Sequence, residues 1–297
     1  MKILVTGSNG LLGQKLTHLL QNEKPISLIA TARGKSVLPI TSGVFHSLDV
    51  TDAAEVDRII FEIKPDVIIN TAAMTQVDQC ETERVACWKA NVNSVENLIQ
   101  ACEKNNVHLV HISTDFVFDG TYGPLDEAAK PNPVNYYGKS KLAAEELLIK
   151  SKISWSILRT VLVYGITEDM SRSNIVLWVK NSLEQGKTIQ VVNDQWRTPT
   201  LAEDLAMGCY LAAKTKATGI YHLSGKDFLS PYEIAIATAD FFKLDKSLIK
   251  ATDSTQFKQP AQRPPKTGFI IDKARKDLGY DPHSFQEGIA VLASQIR

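Results

Sequence analysis

The stretch "NYYGKSKLAAEE", residues 135 to 146, sets two adjacent tyrosines and a lysine in a run otherwise suited to a helix. Residues four apart share a helix face, so Tyr137 pairs with Lys141 and Tyr136 points elsewhere. A free phenol titrates near ~10, and bringing it close to neutrality takes roughly 4 kcal/mol, much of which a neighbouring ammonium can supply. A Tyr–Lys pair of this kind can move a proton to or from a carbonyl oxygen. A hydroxyl to align that carbonyl is available in "LVHISTDFVFDG", where Ser113 and Thr114 end an apolar run. In open α/β sheets the carboxyl ends of strands are where ligands bind.

A second chemical feature stands at the amino end. "ILVTGSNGLLGQKL" spaces Gly7, Gly10 and Gly13 between a strand pattern and a helix pattern, with Asn9, Leu11 and Leu12 in the same turn. Glycines there allow a tight turn and close approach to a pyrophosphate, and the following helix supplies free N–H groups and a favourable dipole. The expectation is a dinucleotide site. Where NAD-binding chains usually carry an acid after the second strand, this one has Arg33 and Lys35. A guanidinium there suits a 2′-phosphate, so NADPH is expected, with NADH as the alternative. Asp49 and Val50, after the third strand, are placed as neighbours of the adenine ring.

These groups need a scaffold. Apolar runs near 2–6, 26–31, 44–48, 66–70, 107–113 and 154–160 alternate with amphipathic stretches, the pattern of a parallel sheet covered by helices. The helix after "LDV" has Thr51 or Asp52 as cap and stops before Pro65. Beyond about residue 165 the alternation breaks into helices near 174–185, 201–214 and 231–243, an extended "TIQVVND", the Pro-rich "QPAQRPPK" and a last short helical pair. The fold expected is α/β: a Rossmann-type doubly wound parallel sheet with a smaller, discontinuous C-terminal substrate-binding lobe. Residues 1–165 form the dinucleotide domain, 198–225 return to it through "GIYHLSG", and 166–197 with 226–297 form the lobe.

Lys plus Arg and Asp plus Glu both number 33, which gives no argument for nucleic acid or an anionic membrane. The amino terminus turns polar too early for a signal-peptide core, and no apolar run could span a bilayer, so a cytoplasmic protein is expected. Cys80, Cys87, Cys102 and Cys209 lack zinc-type pairing and read as reduced packing residues. No acid or histidine cluster has metal-ligand spacing, and no metal is expected.

Taken together, "TGSNGLLG", "PDVIINTAAMTQVDQCE", "HISTDFVF", "NYYGKSKLAAEE", "VVNDQWRTPT" and "QRPPKTGF" resemble, in order, blocks of the extended short-chain dehydrogenase/reductase family, more closely its dTDP-4-dehydrorhamnose reductase branch. The resemblance implies a catalytic triad of Thr114, Tyr137 and Lys141, with Lys141 also on the nicotinamide ribose. It implies Asn91 as a supporting helix asparagine and Ala72 and Ala73 along the cofactor. Thr75, Val77, Asp115 and Phe116 would line a dTDP-sugar, with Asn174 and Arg263 reaching its base or diphosphate. Arg197 and Arg263 are the cations expected for that diphosphate. A homodimer is compatible with this resemblance.

Two positions depart from the branch. Leu162 stands where it commonly carries a tryptophan beside the sugar, and Arg197 where it usually reads glycine. The latter resembles the regulatory β subunit of methionine adenosyltransferase, a relative without the reductase role. Three readings stay open: a 4-ketosugar nucleotide reductase, a cofactor-binding regulatory subunit, and an NAD-retaining epimerase or dehydratase. Arg33 weighs against the last, as does Phe116 after Asp115, where a dehydratase would carry an acid–base pair.

Overall fold

The computed structural model describes residues 1–168 and 174–296. Residues 169–173, inside the expected lobe, and residue 297 lie outside the described residues. The amino-terminal part runs β1 (Lys2–Thr6), α1 (Leu11–Asn22), β2 (Ser27–Ala32), β3 (Val44–Ser47), α2 (Ala53–Ile63) and β4 (Val67–Asn70). It continues with the short α3 (Val77–Thr82) and α4 (Arg84–Trp88), then α5 (Ser94–Asn105), β5 (His108–Thr114), α6 (Tyr136–Lys150) and β6 (Trp155–Thr160). After it come β7 (Val163–Tyr164), α7 (Ile175–Glu184), β8 (Ile189–Val192), β9 (Thr200–Leu201), α8 (Ala202–Thr215), β10 (Gly219–His222), α9 (Pro231–Phe242), β11 (Ile249–Thr252), α10 (Asp272–Leu278) and α11 (Phe285–Ala293).

Seven strands form one parallel sheet in the order β10-β6-β5-β4-β1-β2-β3. Its two faces explain why the strands read as continuous apolar runs. Ile3, Val5, Val67, Ile69, Val110 and Leu158 pack with α1 and α8 on one side. The alternating Leu4, Ile68, Leu109 and Ile157 pack with α2, α5 and α6 on the other. A strand buried on both faces loses the polar alternation of a half-exposed one. "GIYHLSG" does return to this sheet, pairing as β10 beside β6.

Local signals set the element ends. Of the two candidate caps for α2, Asp52 takes the role, accepting from the N–H groups of Ala54 and Glu55, while Thr51 bonds the Asp49 carboxylate. The helix closes on Lys64 in left-handed conformation, just before Pro65. The later segments build two further apolar clusters. One joins Val176, Leu177, Ile234 and Ile289, the other Val179, Ile189, Ala235 and Ile249. The expected extended "TIQVVND" pairs in parallel with β11, a strand whose polar sequence gave no sign of it.

One polar feature crosses the inner core. Glu145 and Arg159 are fully buried and joined at 3.0 and 2.6 Å, with the Ser113 hydroxyl donating to the same carboxylate at 2.5 Å. The guanidinium also lies over the Phe118 ring. Removing one partner of such a pair strands a charge in the interior. Glu145→Ala is expected to lower unfolding free energy by about 3–5 kcal/mol in urea titration, and the double replacement Glu145→Leu, Arg159→Met to lose less.

Candidate active site

Helix α6 begins where Asn135 caps it, its side-chain oxygen accepting from the Gly138 N–H at 2.8 Å. Gly138 lets this first turn press against the 115–117 turn after β5. A Cβ there would sit 2.1 Å from the Phe116 carbonyl oxygen. The helix register then separates the tyrosines as expected. Tyr137 is buried with Cys80 and Cys87, its ring edge-on to Phe116 at 5.8 Å. Tyr136 instead faces Trp88 and the Arg84 guanidinium.

The two hydroxyls of β5 have different neighbours. Ser113 is committed to Glu145, whereas the Thr114 hydroxyl stands near enough to the Tyr137 phenol to act on its proton. Thr114 also donates to Asp115 at 3.0 Å and accepts from the Phe116 N–H. Burial pushes the Tyr137 phenol well above its ordinary value, against the Thr114 hydroxyl, which favours the phenolate; Asp115, Cys80 and Cys87 push the same way as burial. The lowering expected from Lys141 is not seen: the groups acting on the phenol are Thr114, Asp115, Cys80 and Cys87, and burial outweighs the one that lowers it. The Lys141 nitrogen donates to the Ile112 carbonyl at 2.6 Å and lies 3.2 Å from His111 Nε2. Burial brings Lys141 down to about 8, opposed by Glu145 and Cys87.

Asn91 is buried in a π-helical turn, Lys89–Asn93, between α4 and α5. Its amide clasps both backbone groups of Met74, at 2.8 and 3.0 Å, and donates to Ser140 on α6 at 3.0 Å. It thereby fixes the loop holding Ala72, Ala73 and Thr75 against the tyrosine helix. A π turn of this kind commonly marks a functional position.

The glycine turn lies at the carboxyl end of β1. Gly7 has φ +68° and a Cβ there would meet the Ala72 nitrogen at 2.9 Å; at Gly13 it would meet the Gly7 carbonyl at 2.2 Å. Gly10 closes the turn with an N–H to the Gly7 carbonyl. Helix α1 then starts at Leu11 and Leu12 without a side-chain cap, leaving its first N–H groups for an anion. The Ser8 hydroxyl is buried with no hydrogen-bond partner among the described residues, a further donor that the glycine spacing did not single out. Asn9 fastens the turn after β2, bonding the Lys35 carbonyl and the Val37 N–H. Beside it, Arg33 is exposed, with no hydrogen bond or ion pair among the described residues. Val50 is buried. Burial raises the Asp49 carboxyl, but the Thr51 N–H and hydroxyl, with Arg33 and Lys89, outweigh it and hold the group below its usual range. These residues fit a dinucleotide diphosphate, with a cation beyond it.

The residues expected around a sugar nucleotide divide into two sets. Thr75 is exposed beside the site, Val77 opens α3 against the Tyr137 cluster, and Phe116 and Asp115 follow Thr114. The other set is occupied structurally. Arg197 is buried, donating to the carbonyls of Trp196, Pro264 and Pro265 and lying 3.6 Å from Asp115, contacts that brace the segments on either side of it. Asn174 caps α7 and donates to the Gly165 carbonyl. Arg263 grips Asp78 at 2.5 and 2.8 Å. Burial raises the Asp115 carboxyl, opposed by Arg197, Thr267 and Thr114. Leu162 is exposed and sits at φ +36°, a left-handed backbone that a branched side chain seldom adopts.

Residues 1–297 match the family described as RmlD substrate binding domain. A dTDP-4-dehydrorhamnose reductase of Aggregatibacter actinomycetemcomitans is 31% identical over 300 residues, 97% of either chain. The methionine adenosyltransferase 2 subunit beta of Bos taurus is 31% identical over 272 residues, 89% of this chain and 78% of that one. The crystal structure of dTDP-4-dehydrorhamnose reductase from Bacillus anthracis str. Ames, in complex with NADP, superposes with a TM-score of 0.85 at 27% identity, covering 99% of both chains. With the parallel sheet, the glycine turn and the Thr–Tyr–Lys cluster in place, the chain belongs to the RmlD substrate-binding family of extended short-chain dehydrogenases/reductases.

Proposed function

We propose that the protein is an NADPH-dependent reductase of a dTDP-4-dehydro-6-deoxy sugar, converting dTDP-4-dehydrorhamnose to dTDP-L-rhamnose. The observation that carries this reading is the burial of Thr114, Tyr137 and Lys141 together at the end of β5 and the start of α6. The name of the Aggregatibacter relative and the NADP of the Bacillus structure support it.

The glycine turn would hold NADPH, whose chemistry there would be to supply hydride to the C4 carbonyl carbon. Thr114 orients the carbonyl, and Tyr137 gives its proton to the oxygen as charge develops there. A phenol that burial keeps protonated suits a donor. Lys141 holds the nicotinamide ribose and stabilises the phenolate left behind. Thr75, Val77 and Phe116 line the sugar, and residues 166–197 and 226–297 are read as the substrate lobe around it. Asp115, fastened by Thr267 and Arg197, is tied into the scaffold, which speaks against a dehydratase acid. Among the described residues no helix is long and apolar enough to cross a membrane, and the reaction is assigned to the cytoplasm.

A second reading, a non-catalytic NADP-binding regulatory subunit, is favoured by the bovine relative and by Arg197. Oxidation of NADPH by the purified protein with dTDP-4-dehydro-6-deoxy-L-mannose separates the two. Turnover establishes the reductase; cofactor binding without turnover, together with co-purification of a synthetase, establishes the regulator. Tyr137→Phe is expected to lower kcat roughly 10²–10⁴-fold while NADPH still binds. In a fluorescence titration, Arg33→Ala is expected to weaken NADPH roughly 10–100-fold, the worth of a charge-assisted contact, and to leave NADH unchanged. Equal losses for both cofactors would remove Arg33 from the 2′-phosphate.

A further inference from the structure

Behind Lys141 lies a row of polar side chains that the reductase reading does not use. Thr6, Asn70 and His111 stand in register on the adjacent strands β1, β4 and β5, and all three are buried. Thr6 Oγ1 donates to Asn70 Oδ1 at 2.6 Å, Asn70 Nδ2 lies 3.1 Å from His111 Nδ1, and His111 Nε2 lies 3.2 Å from Lys141 Nζ.

The proton positions in this row follow from donor and acceptor count. Asn70 Oδ1 also takes the backbone N–H of Ala72 at 3.3 Å, and a backbone N–H can only donate. The Ala72 N–H also lies 3.4 Å from Thr6 Oγ1; with the amide oxygen toward Thr6 and Ala72 both donors are satisfied, and the NH₂ turns toward His111. Nδ1 of the imidazole is then an acceptor, and a neutral ring carries its one proton on Nε2. That N–H points at a lysine nitrogen which already donates to the Ile112 carbonyl at 2.6 Å. An ammonium offers this N–H no lone pair, whereas a neutral amine offers one.

We propose that His111, held by Asn70 as the Nε2–H tautomer, is a positioning residue that donates to Lys141 and favours its neutral amine. The lysine then has two stable states: an ammonium held by Ile112, and an amine bridging Ile112 and His111. Burial, with Lys141 as neighbour, keeps His111 well below its ordinary value, so the ring stays neutral throughout. The charged and titratable groups facing Lys141 are Glu145 on its own helix and Cys87 on α4. Asp115, Cys80 and Cys87 face the Tyr137 phenol beside it. Glu145 is already saturated by Ser113 and Arg159, leaving His111 as the neighbour whose N–H selects between the two lysine states.

The effect on turnover, though not the tautomer itself, rests on the reductase reading. As pH rises, Lys141 loses its proton and ceases to support the phenolate, so kcat falls on the alkaline side. His111→Asn keeps an acceptor for Asn70 but removes the N–H toward Lys141; His111→Gln retains a donor at that distance. The titration of Lys141, followed by the NMR shift of its ¹³Cε in the full chain without substrate and assigned with Lys141→Arg, tests the proposal directly. The midpoint is expected to rise by about 1 pH unit in His111→Asn and to stay near wild type in His111→Gln, with the alkaline limb of kcat moving in parallel. An unchanged midpoint in a folded His111→Asn protein overturns the proposal. If that variant does not fold, ¹⁵N shifts of the wild-type imidazole decide: a protonated Nε2 supports the proposal and a protonated Nδ1 overturns it. A normal lysine titration response without NADPH turnover would sink the reductase reading and leave the His111 assignment standing.

Discussion

The site is built on one close approach. At Gly138 the first turn of α6 lies against the Phe116 carbonyl with no room for a side chain, as the 2.1 Å separation from an added Cβ measures. That contact brings a residue of the helix and a residue of the strand end within reach of each other, so Thr114 and Tyr137 meet. Asn135 holds the helix start from one side, and Asn91 holds it from the other through Ser140. The next turns of α6 carry Lys141 and Glu145 down onto β5, where His111, Ile112 and Ser113 receive them.

This arrangement puts several polar groups where an apolar core would be more stable. A fully desolvated pair such as Glu145 with Arg159 is weak evidence for stability, since the desolvation cost rivals the attraction. Its geometric effect is clearer. The carboxylate takes up the Ser113 hydroxyl, while Thr114, next along the strand, bonds Asp115 and the Phe116 N–H. A second buried group, Arg197 with Asp115 and Thr267, acts at the other side of Thr114. Each polar cluster thus ties the end of β5 to a different part of the chain.

Much of the fold was readable from the chain. The six strand runs of the first half fall within a residue or two of the observed strands, because all but the edge strand β3 are largely buried and leave apolar signatures. The glycine turn and the Tyr–Lys register were readable because their spacing is dictated by local geometry. Other features left no such trace. Arg197, Asn174 and Arg263 carry charge or amide groups suited to a nucleotide, and only the tertiary contacts reveal that the carbonyls of Trp196, Pro264 and Pro265, a helix end and Asp78 already hold them. The Thr6–Asn70–His111 row is invisible for a similar reason. It depends on register between three strands far apart in sequence, although His111 shares its strand parity with Ser113. The short helices α3 and α4 and the π turn that follows have too little length to show a period.

The bond from Thr267 to Asp115 spans 152 positions of sequence and ends one residue from Thr114. The same late segment is pinned again where the Gln262 carbonyl takes the Asn135 amide, at the cap of the tyrosine helix. The glycine turn and the threonine–tyrosine face therefore depend on different parts of the chain. The glycine turn needs only the first two strands, the loop after β4 and α1. The threonine–tyrosine face is completed from the opposite end of the polypeptide, so a displacement of residues 262–267 is felt directly beside Thr114 and at the start of the tyrosine helix, while the glycine turn has no hydrogen bond to that segment among the described residues.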